Sequence, residues 1–261
     1  MKGILREIIE NKRREVEERQ RIRPLDDLKP AAAAAPPARD FRSDLRRGGG
    51  PLKLLAEIKA ASPSAGVIRA DFDAAEIARL YERAGASAIS VLTDAKYFSG
   101  SDEHLQAARA AVSLPVLRKD FTLGEYQLYE SRILGADAVL LMAQVLDREI
   151  FAALLQKARE LGLYVLAEGH TAEQIQFIVD VGAEVIGINN RDFETLTTDI
   201  ETTLNLIHLV PEDRIVVSQS GIFLREEAQR LEAAGVDAIQ VGTSIMKEED
   251  MEEQLRRLLG R

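Results

Sequence analysis

Past Leu52 the chain alternates short apolar runs with longer stretches in which apolar residues recur at helical spacing, as in Ala74–Tyr81. The first run, Leu54–Ser64, is followed by seven more: Ala88–Asp94, Pro115–Phe121, Ala138–Gln144, Tyr164–His170, Val185–Arg191, Ile215–Gly221 and Ala238–Ser244. Strands that alternate with helices pair in parallel through crossovers. A repeat sharpens the count: Gly85-Ala86-Ser87-Ala88, Gly135-Ala136-Asp137-Ala138, Gly182-Ala183-Glu184-Val185 and Gly235-Val236-Asp237-Ala238 precede strands two, four, six and eight. Each places glycine where a helix must stop, because glycine tolerates the left-handed conformation of a C-terminal cap. Eight near-continuous apolar runs, buried on both faces, predict an α/β fold of the closed (β/α)8 TIM-barrel type. An open doubly wound sheet is the structural alternative.

The first fifty residues have a different texture. Ile4, Leu5, Ile8 and Ile9 form a narrow apolar stripe on a helix predicted over Gly3–Ile22, and a narrow stripe wants a partner surface. The segment Lys29–Gly50, with five consecutive alanines, Pro36-Pro37 and Gly48-Gly49-Gly50, reads as a linker with one short helical turn around Phe41. The expected organisation is a helical extension and linker over residues 1–50, packed on a barrel of residues 51–261, in one domain overall.

Charge limits the partners. With 34 basic and 43 acidic residues and a net charge of −9, neither nucleic acid nor an anionic membrane is an expected partner, whereas a small phosphorylated or carboxylated ligand needs only a few local cations. The chain has no cysteine, which excludes disulfides, thiolate catalysis and a cysteine zinc site. No apolar run approaches the roughly 18 residues of a membrane span, and the amino end lacks a secretory signal's apolar core. The expectation is a soluble, cytoplasmic protein, a monomer with an oligomer as the alternative.

In a barrel of this kind the site lies at the carboxyl ends of the strands. Polar residues collect there: Glu57 and Lys59, Arg118-Lys119-Asp120, Glu168 and His170, Asn189-Asn190-Arg191, Ser218-Gln219-Ser220, and Gly242-Thr243-Ser244. Glu57 and Lys59, two apart on a strand, share a face. Alone they also admit the plainer reading of a structural ion pair on a half-exposed strand. Ser220-Gly221 and Gly242-Thr243-Ser244 follow the last two strands, where small residues let a phosphate approach backbone N–H groups, and Ser62 and Ser64 can close a third side. Lys59 and Lys119 suit an anionic substrate, a lysine can donate a proton, and a glutamate in a dry site can act as base. Three scattered histidines give no metal-ligand spacing, so no metal is expected.

These residues carry a resemblance. Ala56-Glu57-Ile58-Lys59 with Ser62-Pro63-Ser64, Leu117-Arg118-Lys119-Asp120-Phe121, Gly187-Ile188-Asn189-Asn190-Arg191-Asp192 and Ser220-Gly221-Ile222 resemble the signature segments of indole-3-glycerol phosphate synthase, in order and along the whole chain. The resemblance implies decarboxylating, dehydrating ring closure of 1-(2-carboxyphenylamino)-1-deoxyribulose 5-phosphate, without a cofactor. It also implies roles. Lys119 is the general acid, Glu168 the base of the dehydration, Lys59 the partner of the substrate carboxylate, and Glu57 the group that orients both lysines. Asn189 and Arg191 fix the substrate, while Ser62, Gln219, Ser220, Gly221, Gly242 and Thr243 lie at the substrate and phosphate positions. The chain departs from the family pattern at Gln219, where the family has Glu, at Gly169, where it has a bulky aliphatic residue, and at Ala60 and Ala65, where a basic residue is common. Gly169 is expected to leave a void or to loosen that strand. Two other readings fit the same residues: a synthase scaffold whose pocket has changed toward lysine- or carboxylate-dependent aldol cleavage or proton abstraction, and a phosphate-binding barrel without catalysis.

Overall fold

The computed structural model describes residues 3–63, 66–69, 71–192 and 195–260. Eight parallel strands close on themselves: β1 (Lys53–Ile58), β2 (Ala88–Leu92), β3 (Val116–Lys119), β4 (Ala138–Met142), β5 (Tyr164–Gly169), β6 (Val185–Asn189), β7 (Ile215–Gln219) and β8 (Ala238–Val241). Closure is explicit, because β1 pairs with β2 on one side and β8 on the other. The protein is therefore a (β/α)8 barrel, and the open-sheet alternative falls. Its strands end two or three residues before most of the apolar runs do. At those points the backbone leaves the ladder, so residues such as Asp120, His170 and Ser220 belong to mouth loops rather than to strands.

Alternation splits the strand residues between two cores. Leu55, Leu117, Leu140, Leu166, Val185 and Val217 pack inside the barrel, while Ala56, Ile58, Ile89, Val91, Val139 and Ile186 pack outward under the helices. The four repeat glycines lie at φ +88° (Gly85), +84° (Gly135), +78° (Gly182) and +98° (Gly235), the left-handed region their cap role requires. Among the described residues no helix is long and apolar enough to cross a membrane.

The amino-terminal segment forms α1 (Gly3–Ile22), α2 (Leu25–Ala34) and α3 (Phe41–Leu45). The short turn around Phe41 is present as α3, but the alanine run is not linker. It continues α2 even though Pro30 lies inside that helix. A proline there removes one backbone hydrogen bond; the high helix propensity of alanine and the burial of Leu28 against Val16 and Tyr126 outweigh that loss.

Leu5, Ile8 and Ile9 of α1 and Phe41 and Leu45 of α3 join the interior cluster from opposite ends of the barrel. The repeat also fastens the strap that carries α3, on both sides of that helix and beneath the strand starts. Asp137 accepts from Arg39 N (2.8 Å) and Val116 N (2.7 Å), and Asp237 from Arg47 N (3.1 Å) and Val216 N (3.0 Å). Two copies of one repeat thus hold two points of one strap.

Gly169 leaves no void. A Cβ there would lie 3.0 Å from Ile175 Cδ1 and 3.1 Å from Ile178 Cδ1, both on the helix Ala172–Asp180, so these isoleucines already occupy the space an aliphatic residue would take. Gly169→Leu is accordingly expected to overpack this contact and destabilise the chain by about 1–3 kcal/mol. The urea midpoint reads this directly; a stabilised variant would mean that the isoleucines move aside freely.

Candidate active site

Glu57 organises one side of the mouth. Its Oε1 pairs with Lys59 Nζ and its Oε2 with Lys119 Nζ at 2.8 Å, so one carboxylate aligns two ammonium groups. This cluster depends on a glycine. A Cβ at Gly242 would lie 2.6 Å from Glu57 Oε1 and 3.0 Å from Glu57 Cβ, so Gly242 makes room for the acid as well as opening the backbone at the end of β8.

Burial by itself would raise the Glu57 pKa, but the charges of Lys119 and Lys59 prevail and hold it well below the ordinary carboxylate value of 4.5. A carboxyl whose folded value is depressed contributes stability that is complete above its unfolded value and is lost as pH falls toward the folded one. The thermal midpoint is therefore expected to drop below about pH 4.5 more steeply in the parent chain than in Glu57→Gln. Parallel acid limbs in the two chains would contradict this.

Glu168, at the end of β5, faces a different set of donors. Asn189 Nδ2 donates to its Oε1 at 3.0 Å and Gln219 Nε2 to its Oε2 at 3.1 Å, and no cation pairs with it among the described residues. Gln219, expected among the substrate-binding residues, is buried and does not line the cavity; it reaches the cavity through Glu168 and Gln240, which do.

The glycine loops stand opposite. Ser220 (φ +68°) and Gly221 (φ +73°) are consecutive residues of positive φ, and both line the cavity, where small residues leave the loop backbone open to a ligand. Gly221 is required twice over, since a Cβ there would also meet Thr198 Cβ at 2.8 Å. Gly242, Thr243, Ser62 and Arg191 complete this end of the cavity, and Arg191 Nη1 is steadied by Leu196 O at 3.1 Å. Ser64 and Ala65 lie outside the described residues. Ala60 uses its carbonyl to accept from Ile68 N and brings no charge to the loop.

Other polar strand-end residues turn away from the mouth. Arg118 is buried outside the sheet, paired with Asp102 and Glu130, while Asn190 bonds Ser218 Oγ (3.0 Å) and Thr203 Oγ1 (2.7 Å). His170 donates from Nδ1 to Asn189 O at 2.7 Å. These three fasten loops and helices to the sheet.

The apolar stripe of α1 finds its partner surface over the mouth, and beside it stands an anchor that the sequence reading passed over. Ile4 and Ile8 of α1 line the cavity, and with Phe98, Phe121, Leu140 and Met142 they make one wall apolar. Lys12, one turn further on, is 1% exposed and sits 2.9 Å from both Asp94 Oδ2 and Asp120 Oδ1, with Glu15 Oε2 at 2.8 Å. A signal for it existed. Leu5, Ile8, Ile9, Lys12 and Val16 share one helix stripe, and a lysine on an apolar stripe needs a buried acid to receive it.

The cavity thus joins an apolar wall, two ammonium groups on one carboxylate, a second carboxylate held by amides, and an end of small-residue loop backbone. Such a site suits a substrate with an aromatic part, a carboxylate and a phosphate, and it can both give and take a proton.

Comparison with known proteins agrees. The fold resembles 3-hexulose-6-phosphate synthase from Salmonella typhimurium (TM-score 0.64, 13% identity, 80% of this chain and 97% of that one). It also resembles a chain of the tryptophan synthase α2β2 complex from Pyrococcus furiosus (TM-score 0.60, 16% identity, 80% and 98%). At these identities the likeness concerns the barrel alone. Sequence relatives are much nearer: indole-3-glycerol phosphate synthase from Roseiflexus castenholzii is 44% identical over the full length of both chains, and that from Thermoanaerobacter sp. is 42% identical over 94% of this chain and 92% of its own. With the family model for indole-3-glycerol phosphate synthase matching residues 5–258, the chain belongs to the indole-3-glycerol phosphate synthase family, the carboxy-lyases of tryptophan biosynthesis.

Proposed function

We propose that this mouth closes the indole ring of 1-(2-carboxyphenylamino)-1-deoxyribulose 5-phosphate, with Lys119 as general acid and Glu168 as base. The observation that carries the reading is the division of the cavity: Lys59 and Lys119 gathered on Glu57 at one side, and Glu168 without a cationic partner at the other.

The phosphate is bound by the backbone at Ser220-Gly221 and Gly242-Thr243 together with Ser62, and Arg191 and Asn189 hold the sugar portion. The aryl ring lies against Phe98, Phe121 and Met142, with its carboxylate on Lys59. As the aryl carbon that bears the carboxylate adds to the ketone carbon, Lys119 gives its proton to the ketone oxygen, which becomes a hydroxyl. Carbon dioxide then leaves, and the electron pair of the broken bond restores the aromatic ring. Finally Lys119, reprotonated from solvent, gives a second proton to the hydroxyl, which departs as water while Glu168 accepts a proton from the neighbouring methylene. Substrate becomes indole-3-glycerol phosphate, carbon dioxide and water, and no external oxidant or reductant enters the balance. Glu57 keeps both lysines aimed and offsets their mutual repulsion.

In this reading residues 1–50 cover a barrel formed by residues 51–261, and the protein works in the cytoplasm as a monomer on a free metabolite. The test is turnover. The full chain incubated with the substrate should develop indole fluorescence at a rate within the ordinary range of enzymes, about 1 s⁻¹ or faster. Tight binding of the substrate without turnover would overturn the reading in favour of a silent phosphate-binding barrel.

A further inference from the structure

Two buried glutamines link the two halves of this mouth. Gln219 on β7 and Gln240 on β8 are neighbours in the sheet register, and both side chains turn into the barrel. Gln219 Nε2 donates to Glu168 Oε2 at 3.1 Å and to Gln240 Oε1 at 2.6 Å. Gln240 Nε2 donates in turn to Glu57 Oε2 at 3.0 Å and to Ser90 Oγ at 3.2 Å. Each amide nitrogen has two hydrogens and each hydrogen has an acceptor, so the donor capacity of the pair is fully used.

That arrangement has one direction. If the Gln219 amide turned over, its oxygen would face Glu168 and the Gln240 oxygen together. If Gln240 turned over, its oxygen would face the Glu57 carboxylate and its nitrogen would face another donor. Each amide therefore fixes the other. The one group left out is Gln219 Oε1, a buried oxygen with no hydrogen-bond partner among the described residues. It lies over Gly187, where any Cβ would overlap it. An unpaired buried acceptor is costly, and this one is the counterpart of sending both N–H groups the other way.

We propose that Gln219 and Gln240 form a matched positioning pair, which holds the Glu168 carboxylate in its working orientation and ties it to the Glu57–lysine cluster. The proposal rests on the reading of Glu168 as the base and adds a residue, Gln240, that lies outside the resemblance to the family. It also gives the departure at position 219 a structural partner. A glutamate at 219 would set a carboxylate against Glu168 and a second acceptor against Gln240 Oε1. Position 219 can therefore be an amide or an acid only in step with position 240.

A double-mutant cycle on the full chain tests this, with kcat, KM and the thermal midpoint measured for Gln240→Leu, Gln219→Glu and the double variant. Gln240→Leu should lower kcat about tenfold while KM stays within about twofold, as expected of a displaced reacting group. Gln219→Glu should also lose activity. Because leucine removes the facing oxygen, the double variant should exceed the product of the two single effects by about tenfold or more. If Gln240→Leu fails to fold, Gln240→Met takes its place in the cycle. Effects that simply multiply, or a Gln240 variant that lowers the thermal midpoint and leaves kcat unchanged, would overturn the pairing. Glu168→Gln serves as the control: full turnover in that variant would refute the base assignment, whereas its loss with a multiplicative cycle would refute the pairing alone.

Discussion

Replacing Lys119 by methionine is expected to lower kcat by about 10³-fold, within the range that a positioned proton donor contributes. Methionine retains the length of the side chain and removes the ammonium that sits 2.8 Å from Glu57 Oε2. Glu57 keeps Lys59, so the local charge is not orphaned and the fold should survive. The loss should appear at the first bond-forming step. Carbon dioxide release and indole formation should therefore fall together, with KM changing much less than kcat. Lys119→Arg should recover little, because a guanidinium does not release its proton in this range. If indole formation fell while carbon dioxide was still released at the parent rate, Lys119 would act in the dehydration alone and its role in ring closure would fall.

The second large effect is expected at a residue that never touches the substrate. Lys12→Met should destabilise the protein by about 3–5 kcal/mol, the usual cost of removing one partner from a buried ion pair. Burial alone would depress the Lys12 pKa, but Asp120 and Asp94 outweigh it and raise the value above the ordinary lysine range. Without Lys12, Asp94 and Asp120 would remain buried with less compensation. The damage should reach the site as well. Asp120 directly follows Lys119, and Lys12 pins the helix whose Ile4 and Ile8 roof the cavity. KM should therefore rise, and guanidinium unfolding should show the loss of stability. In an Asp120→Asn background the same substitution should cost distinctly less, since the two residues share one interaction. Equal costs in both backgrounds would mean that Lys12 acts through Asp94 and Glu15 alone.

The barrel was legible because its signals are local and repeated. Each strand announces itself as an apolar run, and each even-numbered strand follows a glycine that ends a helix in the left-handed region. The mouth was legible for a related reason: charged residues in apolar runs need partners, and a barrel offers one place to find them. What escaped depends on contacts between distant segments. Helix α2 was hidden by its proline and by the polyalanine run, which does not say what it packs against. Asn190 and Ser218 look like mouth residues in the sequence, and only the pleat sends them outward to Thr203. Gly169 looked like a void because the isoleucines that fill it come from the following helix. Gln240 sits inside the run Ala238-Ile239-Gln240-Val241, where a buried amide is the one residue out of character. Its meaning depends on Gln219, 21 positions earlier, and on Glu57, 183 positions earlier.

The most direct test of the account is a crystal structure of the full chain with the product, indole-3-glycerol phosphate, bound. The account predicts the phosphate on the backbone N–H groups at Gly221 and Gly242-Thr243, and the indole ring against Phe98 and Phe121. It places Lys119 and Glu168 on the two sides of the newly formed ring. A phosphate held away from Gly221 and Gly242, or an indole ring with Lys119 and Glu168 both out of reach, would contradict it.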